Sequence, residues 1–236
     1  MKQFFFILFA ISALSLQSCK KIKGDGPVVT EYRSVSNFRS INNSIDGDLH
    51  FTPGNSYNVE IRAQQNILDI IEARTSNGEL KIRYNGNYNI GRHDRIDIYV
   101  TCPSPNGFTI SGSGNIDVTR ALNVSDMRLR IAGSGAINLN ELVANDIDAS
   151  ISGSGDINVS AGRANTASYQ IDGSGSIDLL DVVVKDVMTT TRGSGNTRVH
   201  ATDNLDVNIS GSGDVIYKGN PHINTRISGS GNVRRW

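Results

Sequence analysis

The tripeptide Gly-Ser-Gly recurs through the second half of the sequence at a nearly constant period. Its seven copies lie at residues 112–114, 133–135, 153–155, 173–175, 193–195, 211–213 and 229–231, so successive copies are 21, 20, 20, 20, 18 and 18 residues apart. Sequence of merely low complexity would not hold such a spacing. A constant period of this length is typical of solenoids, in which each unit stacks on its neighbours.

The residues that flank each copy repeat as well. An apolar residue stands two positions before the first glycine, as at Ile131 and Ile151, and a second one follows six residues later, as at Ile137 and Ile157. Apolar and polar residues alternate outward from both positions, which is the pattern of a strand with one buried face. Each unit therefore predicts a strand, a tight corner, a second strand and a variable return. We expect an all-β fold, a single-stranded parallel β-helix (β-solenoid) with about seven rungs.

Geometry explains the glycines of these corners. A sharp corner often needs a positive φ, which glycine adopts without a Cβ clash, and stacked corners bring backbones too close for side chains. We therefore predict a structural role for fourteen residues. They are Gly112, Gly114, Gly133, Gly135, Gly153, Gly155, Gly173, Gly175, Gly193, Gly195, Gly211, Gly213, Gly229 and Gly231.

Polar residues just after the corners are expected to stack into ladders along the solenoid. One such column would hold Asp117, Asn138, Asn158 and Asp178. Calcium is an alternative interpretation, because a nonapeptide β-roll repeat binds that ion through glycine- and aspartate-rich turns. The period here is much longer and Arg198 follows in the same column, which favours a structural ladder. No metal or other cofactor is predicted.

The fifth repeat departs from the pattern. Thr189, Thr191 and Thr197 replace aliphatic residues, and Arg192 and Arg198 flank the corner. Threonine still suits a strand, but we expect weaker packing in this rung. A functional groove at this rung is the alternative.

The N-terminal sequence resembles a targeting signal. Residues 1–18 combine Lys2 with an apolar run too short to span a membrane comfortably, which is typical of a signal peptide. The run ends in Leu16-Gln17-Ser18-Cys19, which resembles a bacterial lipobox and predicts lipidation of Cys19; an ordinary signal peptide is the alternative. Residues 19–27 would then be a lipidated tether, and acyl chains would anchor the protein to the membrane. The lysines after Cys19 favour an outer-membrane lipoprotein that faces the periplasm over one at the cell surface.

Residues 28–105 lack the tripeptide but read as β structure continuous with the solenoid of residues 106–236. We expect strands at 35–41, 45–52, 57–63, 79–84 and 95–101, a short helix at 66–73, and a loop at 84–94. Asn77-Gly78 predicts a hairpin turn. This region would cap one end of the solenoid, and Trp236 would cover the other.

Catalytic chemistry has little support in the sequence. Cys102 lies in a predicted strand and is interpreted as a buried structural thiol, because no histidine is near it in sequence. Parallel β-helices also host polysaccharide-active enzymes, which need two acids at a defined separation. Asp117, Asp156, Asp178 and Asp214 are the available acids, but uncharged residues share their columns. We therefore predict no catalytic residues.

Several segments taken in order resemble a known family. They are Ser36–Ile41, Ile45–Leu49, Tyr57–Ile61, Asn66–Asp69, Asn77–Ile82, Ile98–Thr101 and Ser111–Ile116. Together they resemble the putative auto-transporter adhesin, head GIN domain family of Bacteroidetes envelope proteins. The resemblance covers nearly all of the chain after the signal peptide. It implies a β-helix-like fold and a lipoprotein or secreted address, and it carries over no catalytic residues.

The sequence is compatible with three functions. A non-catalytic envelope lipoprotein that binds glycan or protein surfaces is favoured, a structural or self-assembling scaffold is the alternative, and a polysaccharide-active enzyme is third. Open solenoid ends would allow homo-oligomers. Lys plus Arg and Asp plus Glu are equal at 23 each, so no basic surplus favours nucleic acid as a partner.

Overall fold

The computed structural model describes residues 20–86 and 88–236. The predicted signal peptide and Cys19 lie outside these residues. The chain is 66% strand and 2% helix and forms a β-solenoid of about six turns. The β-solenoid prediction is confirmed, with about six turns where about seven were expected. The difference is small because seven corners enclose six complete returns.

Each turn of the solenoid contributes to three faces. Face A contains the strand before the corner, face B the strand after it, and face C the return. Parallel strands stack in register along each face, so that Ile131, Ile151 and Ile171 pair in sequence on face A. Equivalent side chains are therefore about 4.8 Å apart on neighbouring turns.

The strands of each face are as follows. Face A holds β3 (Ser40–Asn43), β7 (Glu79–Tyr84), β10 (Gly107–Ile110), β13 (Asp126–Gly133), β16 (Asp146–Gly153) and β22 (His222–Gly229). Face B holds β4 (Asp48–Pro53), β9 (Asp97–Cys102), β11 (Ile116–Val118), β14 (Ala136–Leu139), β17 (Asp156–Val159), β21 (Val215–Lys218) and β23 (Val233–Arg235). Face C holds β12 (Leu122–Asn123) and β15 (Leu142–Val143). Three long strands run through more than one face: β18 (Gly162–Gly173), β19 (Ser176–Gly193) and β20 (Asn196–Gly211).

Aliphatic side chains fill the interior. The flanking isoleucines Ile131, Ile137, Ile151 and Ile157 are all at most 2% exposed. Burying such a side chain stabilises the fold by roughly 1.5 to 3 kcal/mol. The alternating pattern read from the sequence therefore becomes one continuous core.

Close stacking is the main reason for glycine at the corners. A Cβ placed on Gly155 would lie 2.4 Å from the carbonyl oxygen of Gly135 and 2.7 Å from Cγ2 of Ile131. A Cβ placed on Gly153 would likewise lie 2.4 Å from the carbonyl oxygen of Gly133. Gly153 also has a φ of 136°. Gly155 has no positive φ within the described backbone. A positive φ thus favours glycine at the first position of a corner, as at Gly153. The close approach of the neighbouring turn requires glycine at both positions of the corner.

The turn nearest the N-terminus is stacked out of sequence order. β3 lies between β7 and β10 on face A, and β4 lies between β9 and β11 on face B. The strands β7 and β9, which come later in the chain, therefore form the outer turn. The chain then crosses back through residues 103–106 to begin β10.

Antiparallel strands extend this outer turn. β5 (Asn58–Gln64) pairs with β9 on face B, β2 (Val28–Tyr32) pairs with β5, and β6 (Ile71–Ser76) pairs with β7 on face A. The short helix α1 (Gln65–Leu68) buries Ile67 and Leu68 between them. β2 and β6 are the outermost strands at this end, and each pairs on one side only among the described residues. β1 (Lys20–Ile22) and β8 (Tyr88–Ile90) form a separate parallel pair.

Several expected boundaries in this region were wrong. The expected strand at 35–41 begins only at Ser40, and the helix ends at Leu68. Ile71 begins β6 because Asn77 and Gly78, with φ values of 51° and 75°, form the hairpin turn that pairs Ser76 with Glu79. The hairpin prediction is thus confirmed, and its strand displaces the second half of the predicted helix. Tyr88–Ile90 forms a strand where a loop was expected.

Trp236 does not cover the C-terminal end. Its backbone N–H continues the pairing of β23 by donating to the Tyr217 carbonyl over 2.8 Å. The indole lies on face B, with its ring centre 4.6 Å from the Arg198 guanidinium carbon, and is 66% exposed. The outer edges of β22 and β23 remain open in the part of the chain that the structure describes.

Candidate functional site

A row of polar side chains runs along the outer surface of face B. The register of the strands places Asp117, Asn138, Asn158 and Asp178 in one column. Asn138 donates through Nδ2 to Asp117 Oδ1 over 2.9 Å, and Asn158 donates through Nδ2 to Asn138 Oδ1 over 3.0 Å. We call this column, from His50 to Arg198, the face B ladder. Its amides are held in fixed positions by one another.

An ion pair closes the ladder at its C-terminal end. Arg198 donates through Nη1 to Asp178 Oδ2 over 2.7 Å. Because both side chains are about one third exposed, the contact adds little to stability. The guanidinium also lies against the exposed Trp236 indole, so a cation and an aromatic ring stand together there.

An aromatic and charged cluster closes the ladder at its other end. His50 Nε2 lies 3.2 Å from Asp97 Oδ1, and His50 Nδ1 lies 3.9 Å from Asp117 Oδ2. The His50 ring is stacked beside Tyr99, with ring centroids 5.0 Å apart. The Arg62 guanidinium lies over the Tyr99 ring, 4.6 Å from its centre. No local sequence pattern connects His50 or Tyr99 to the ladder. The register of β4 against β9 brings them together.

A second outward row borders the ladder. Thr119, Asn140 and Ser160 project beside it, and the two rows enclose a shallow cleft of about 330 Å³. Hydroxyl, amide and carboxylate side chains line this cleft together with Val118 and Leu139. Such groups can donate and accept hydrogen bonds in the same plane, which suits a ligand rich in hydroxyls.

The polar side chains directly after the corners form hydrogen bonds to the backbone. Asn196 Oδ1 accepts a hydrogen bond from the Asp214 backbone N–H over 2.9 Å, and Asp214 Oδ1 accepts one from the Asn232 N–H over 3.0 Å. Asn115 Oδ1 accepts in the same way from the Ala136 N–H over 3.0 Å. These side chains satisfy backbone donors of the next turn, so they are structural.

The acids that an enzyme would need are spread out. Asp117 and Asp178 share a column but are separated by Asn138 and Asn158, which places them about 14 Å apart at the usual strand spacing. Paired carboxylates of glycoside hydrolases lie about 5 to 9.5 Å apart. Asp156 and Asp214 are likewise three turns apart in their own column. Neither pair has the separation that glycoside hydrolysis requires.

The fifth turn contains buried hydroxyls. Thr189, Thr191 and Thr197 are at most 1% exposed, and none of their Oγ1 atoms has a hydrogen-bond partner within residues 20–86 and 88–236. Arg192 and Arg198 turn outward, where they pair with acids of the preceding turn. Weaker packing of this turn stays a prediction, and it would arise from these buried hydroxyls. On face A a cleft of about 290 Å³ lies beside Arg192.

The N-terminal loop contains a hydrogen-bonded cluster. Tyr84 Oη donates to Asp46 Oδ1 over 2.5 Å, and His93 Nε2 lies 2.9 Å from Asp46 Oδ2. His93 Nδ1 lies 2.6 Å from the Asp94 carbonyl. Burial alone would lower the pKa of His93, but the bonds to Asp94 and Asp46 raise it. Burial alone would raise the pKa of Asp46, and the bonds from Tyr84 and His93 lower it. The cluster joins the loop to the corner between β3 and β4.

Face C has a cleft of its own, over the variable returns. It measures about 460 Å³, and exposed Val183 lies on its rim beside Arg163 and Lys185. Ala144 and Ala164 form part of its floor.

Cys102 is fully buried and has no disulfide partner among the described residues. Burial raises the pKa of its thiol to about 11, so the side chain is protonated at neutral pH. Among residues 20–86 and 88–236, no group of three or more His, Cys, Asp or Glu side chains is arranged to hold a metal ion. In the same residues, no helix has the length and apolar character needed to cross a membrane.

Comparison with protein families gives a match over most of the chain. The family described as putative auto-transporter adhesin, head GIN domain, matches residues 37–221. No curated protein matches the sequence significantly.

Solved structures share the fold. A putative adhesin from Bacteroides fragilis NCTC 9343 has a TM-score of 0.87 at 22% identity, covering 91% of this chain and 100% of its own. A putative lipid binding protein from Parabacteroides distasonis ATCC 8503 has a TM-score of 0.76 at 25% identity, covering 92% and 100%. A putative adhesin from Parabacteroides merdae ATCC 43184 has a TM-score of 0.73 at 23% identity, with the same coverage.

Proposed function

Because this chain belongs to the putative auto-transporter adhesin, head GIN domain family, we propose that it is a non-catalytic binding module of the bacterial envelope. Its ligand is a surface glycan, bound on face B. The face B ladder is the observation that carries this proposal. Asp117, Asn138 and Asn158 present carboxylate and amide groups in fixed positions, so little side-chain freedom is lost when a ligand binds.

The shape and composition of face B support an elongated ligand. Outward groups repeat at the strand spacing of about 4.8 Å, and the ladder continues over six strands from His50 to Arg198. Rings stand near both ends, at Tyr99 and Trp236. Aromatic faces combined with planar hydrogen-bonding groups suit the apolar faces and hydroxyls of sugars.

A glycan-array screen of the protein tests this function. We expect retention of a limited set of glycans, and we expect Asn138→Ala combined with Asn158→Ala to weaken binding to them. Asn208→Ala is the matched control, since Asn208 is an outward amide on face A. Absence of any retained glycan, or equal binding by the ladder variant and the control, would contradict the proposal. Cleavage of a bound polysaccharide would contradict the non-catalytic assignment.

We further propose that the module is an outer-membrane lipoprotein that faces the periplasm. The lipobox-like sequence ending at Cys19 and the lysines at positions 20, 21 and 23 support this address. Labelled palmitate should enter the protein and should be lost in Cys19→Ala. Protease added to intact cells should spare the protein; rapid digestion would indicate the cell surface instead.

A structural envelope module is the second candidate function. One observation favours it: the outer edge of β22 has no strand partner within the described residues, and unpaired edges invite association. Sedimentation velocity over a range of concentrations tests self-assembly. A protein that stays monomeric at all concentrations would contradict a self-assembling scaffold.

A further inference from the structure

The two ends of the solenoid are finished differently. At the N-terminal end, β2, β5 and β6 add antiparallel strands to faces A and B, and β2 and β6 each pair on one side only among the described strands. At the C-terminal end, β22 pairs only with β20 and β23 only with β21 among the described strands. A row of backbone N–H and C=O groups is therefore open along the eight residues of β22.

Apolar surface is exposed along this edge. Ile171, Thr191, Ile209 and Ile227 occupy one interior column in register. The first three are at most 2% exposed, whereas Ile227 is 45% exposed. Ile223, also in β22, is only partly buried. A further strand placed beside β22 would cover both isoleucines.

The charged side chains of the last turn itself are all positive, although Lys218 pairs with Asp181 and Asn224 of β22 bonds to Asp206 of the preceding turn. Residues 215–236 contain Lys218, Arg226, Arg234 and Arg235 and no Asp or Glu. Arg226 lies in β22 with its neighbours exposed. Arg235 occupies an interior column, where it pairs with Tyr217 and, one strand further, with Val199. Val199 is fully buried and Arg235 is exposed, so a cation stands where a core residue would continue the stack.

These cations select among the partners that an open edge could take. Two copies meeting at this end would bring like charges together, which is unfavourable. An extended strand with acidic residues on one side and apolar residues on the other would complement the open backbone, the exposed isoleucines and the positive charge of this edge. Its backbone would pair with β22, its apolar side would cover Ile223 and Ile227, and its acids would lie beside Arg226.

We infer that the C-terminal edge of the solenoid docks an acidic, amphipathic β-strand of another protein by strand addition. The mode of recognition combines main-chain hydrogen bonds with alternating side-chain contacts. The site is on a different surface from the face B ladder, so it does not depend on glycan binding.

Synthetic peptides of eight residues, matching the length of β22, test this inference. The probe is acetyl-(Val-Glu)4-amide, and the control is acetyl-(Val-Lys)4-amide. Trp236, the single tryptophan of the chain, lies on face B beside Arg198, so binding to β22 is measured by isothermal titration calorimetry instead of fluorescence. We expect saturable binding of the glutamate peptide and none of the lysine peptide.

Two variants define the site. Arg226→Glu should weaken binding about tenfold, as expected when one complementary charge is reversed. Arg163→Glu reverses an exposed charge on face C and should leave binding unchanged. Because both side chains are exposed, the variants should keep the melting temperature of the parent protein, which separates loss of binding from loss of fold.

Hydrogen exchange separates strand addition from simple charge attraction. Residues 222–229 should gain amide protection when the glutamate peptide is bound, and face B should not. Equal binding of both peptides, absence of added protection, or unchanged affinity in Arg226→Glu would overturn the inference. Self-association through β22 in sedimentation experiments would also overturn it, by identifying a second copy as the occupant. None of these outcomes bears on glycan binding.

Discussion

Tyr169 and Thr189 are register partners on adjacent strands of face A, and both hydroxyl oxygens are buried without a hydrogen-bond partner within the described residues. Two adjacent turns of the core therefore bury hydroxyl groups that lose their hydrogen bonds to water without forming new ones. An unpaired buried hydroxyl costs about 1 to 3 kcal/mol. The fifth turn combines this cost with the change from a spacing of 20 residues to one of 18.

Replacing the buried threonines should stabilise the protein. Thr191→Val removes an unpaired hydroxyl at nearly constant volume, between Ile171 and Ile209. We expect the free energy of unfolding to rise by about 1 kcal/mol, measured by urea titration. Thr190→Val, whose side chain points outward in the same strand, should have little effect. A loss of stability in Thr191→Val would show that its hydroxyl is satisfied, for example by buried water.

The corner glycines can be tested apart from their φ angles. Gly155→Ala would force a Cβ to within 2.4 Å of the Gly135 oxygen, although the backbone of Gly155 has no positive φ. We expect a loss of about 1 to 3 kcal/mol, the usual range for overpacking. Ser154→Ala, in the same corner, is the control and should be nearly neutral. Tolerance of Gly155→Ala would mean that the stacked corners can separate.

The two amides of the face B ladder separate its two acids. Asn138→Asp would place a carboxylate between Asp117 and Asn158 and remove the donor to Asp117. Like charges at strand spacing are destabilising, so we expect lower stability at pH 7 and recovery near pH 4, where one carboxylate is protonated. Asn140→Asp, in the uncharged neighbouring row, should show no such pH dependence in thermal unfolding.

The Asp46, Tyr84 and His93 cluster should make stability depend on pH. The raised pKa of His93 means that its contribution is present below the unfolded value, about 6.5, and is lost as pH rises through the folded value. The lowered pKa of Asp46 means that its contribution is present above the unfolded value, about 3.9, and is lost as pH falls. His93→Gln should therefore cost more stability at pH 6 than at pH 9 in chemical denaturation. An equal cost at both values would show that His93 is neutral in the folded state.

Cys102 should resist thiol reagents in the folded protein. With a pKa of about 11 and no exposed surface, only about one thiol in a thousand would be ionised near pH 8. Modification should therefore follow the rate of unfolding, as measured with a chromogenic disulfide reagent. Fast modification under native conditions would place Cys102 in a mobile segment.

The repeat made most of the solenoid predictable from sequence. Ile131, Ile137 and their equivalents carry a period of two, and a regular corner fixes their register, so the stacking of Asp117 on Asn138 could be inferred. The N-terminal region offered no such constraint. Ser40–Asn43 forms a corner strand without the tripeptide, and buried Asn43, which donates to the Gly47 carbonyl over 2.7 Å, supports that corner in its place.

The contacts missed from sequence are those between distant segments. His50 meets Tyr99 because β9 stacks outside β4, and a residue separation of this size leaves no local pattern. His93 reaches Asp46 for the same reason. The exposure of Ile227 was not predicted either, because Trp236 was expected to cover this end.

The out-of-order first turn has a consequence for biosynthesis. A chain delivered from its N-terminus makes β3 and β4 early, yet both of their neighbours on each face come from residues 79–118. Stacking cannot proceed one repeat at a time from the beginning, because long stretches of chain must be available before the first stable contacts form. A ribosome stalled within the first hundred residues should therefore hold a chain without a protease-resistant core, and each later repeat should add to a finished template as it appears.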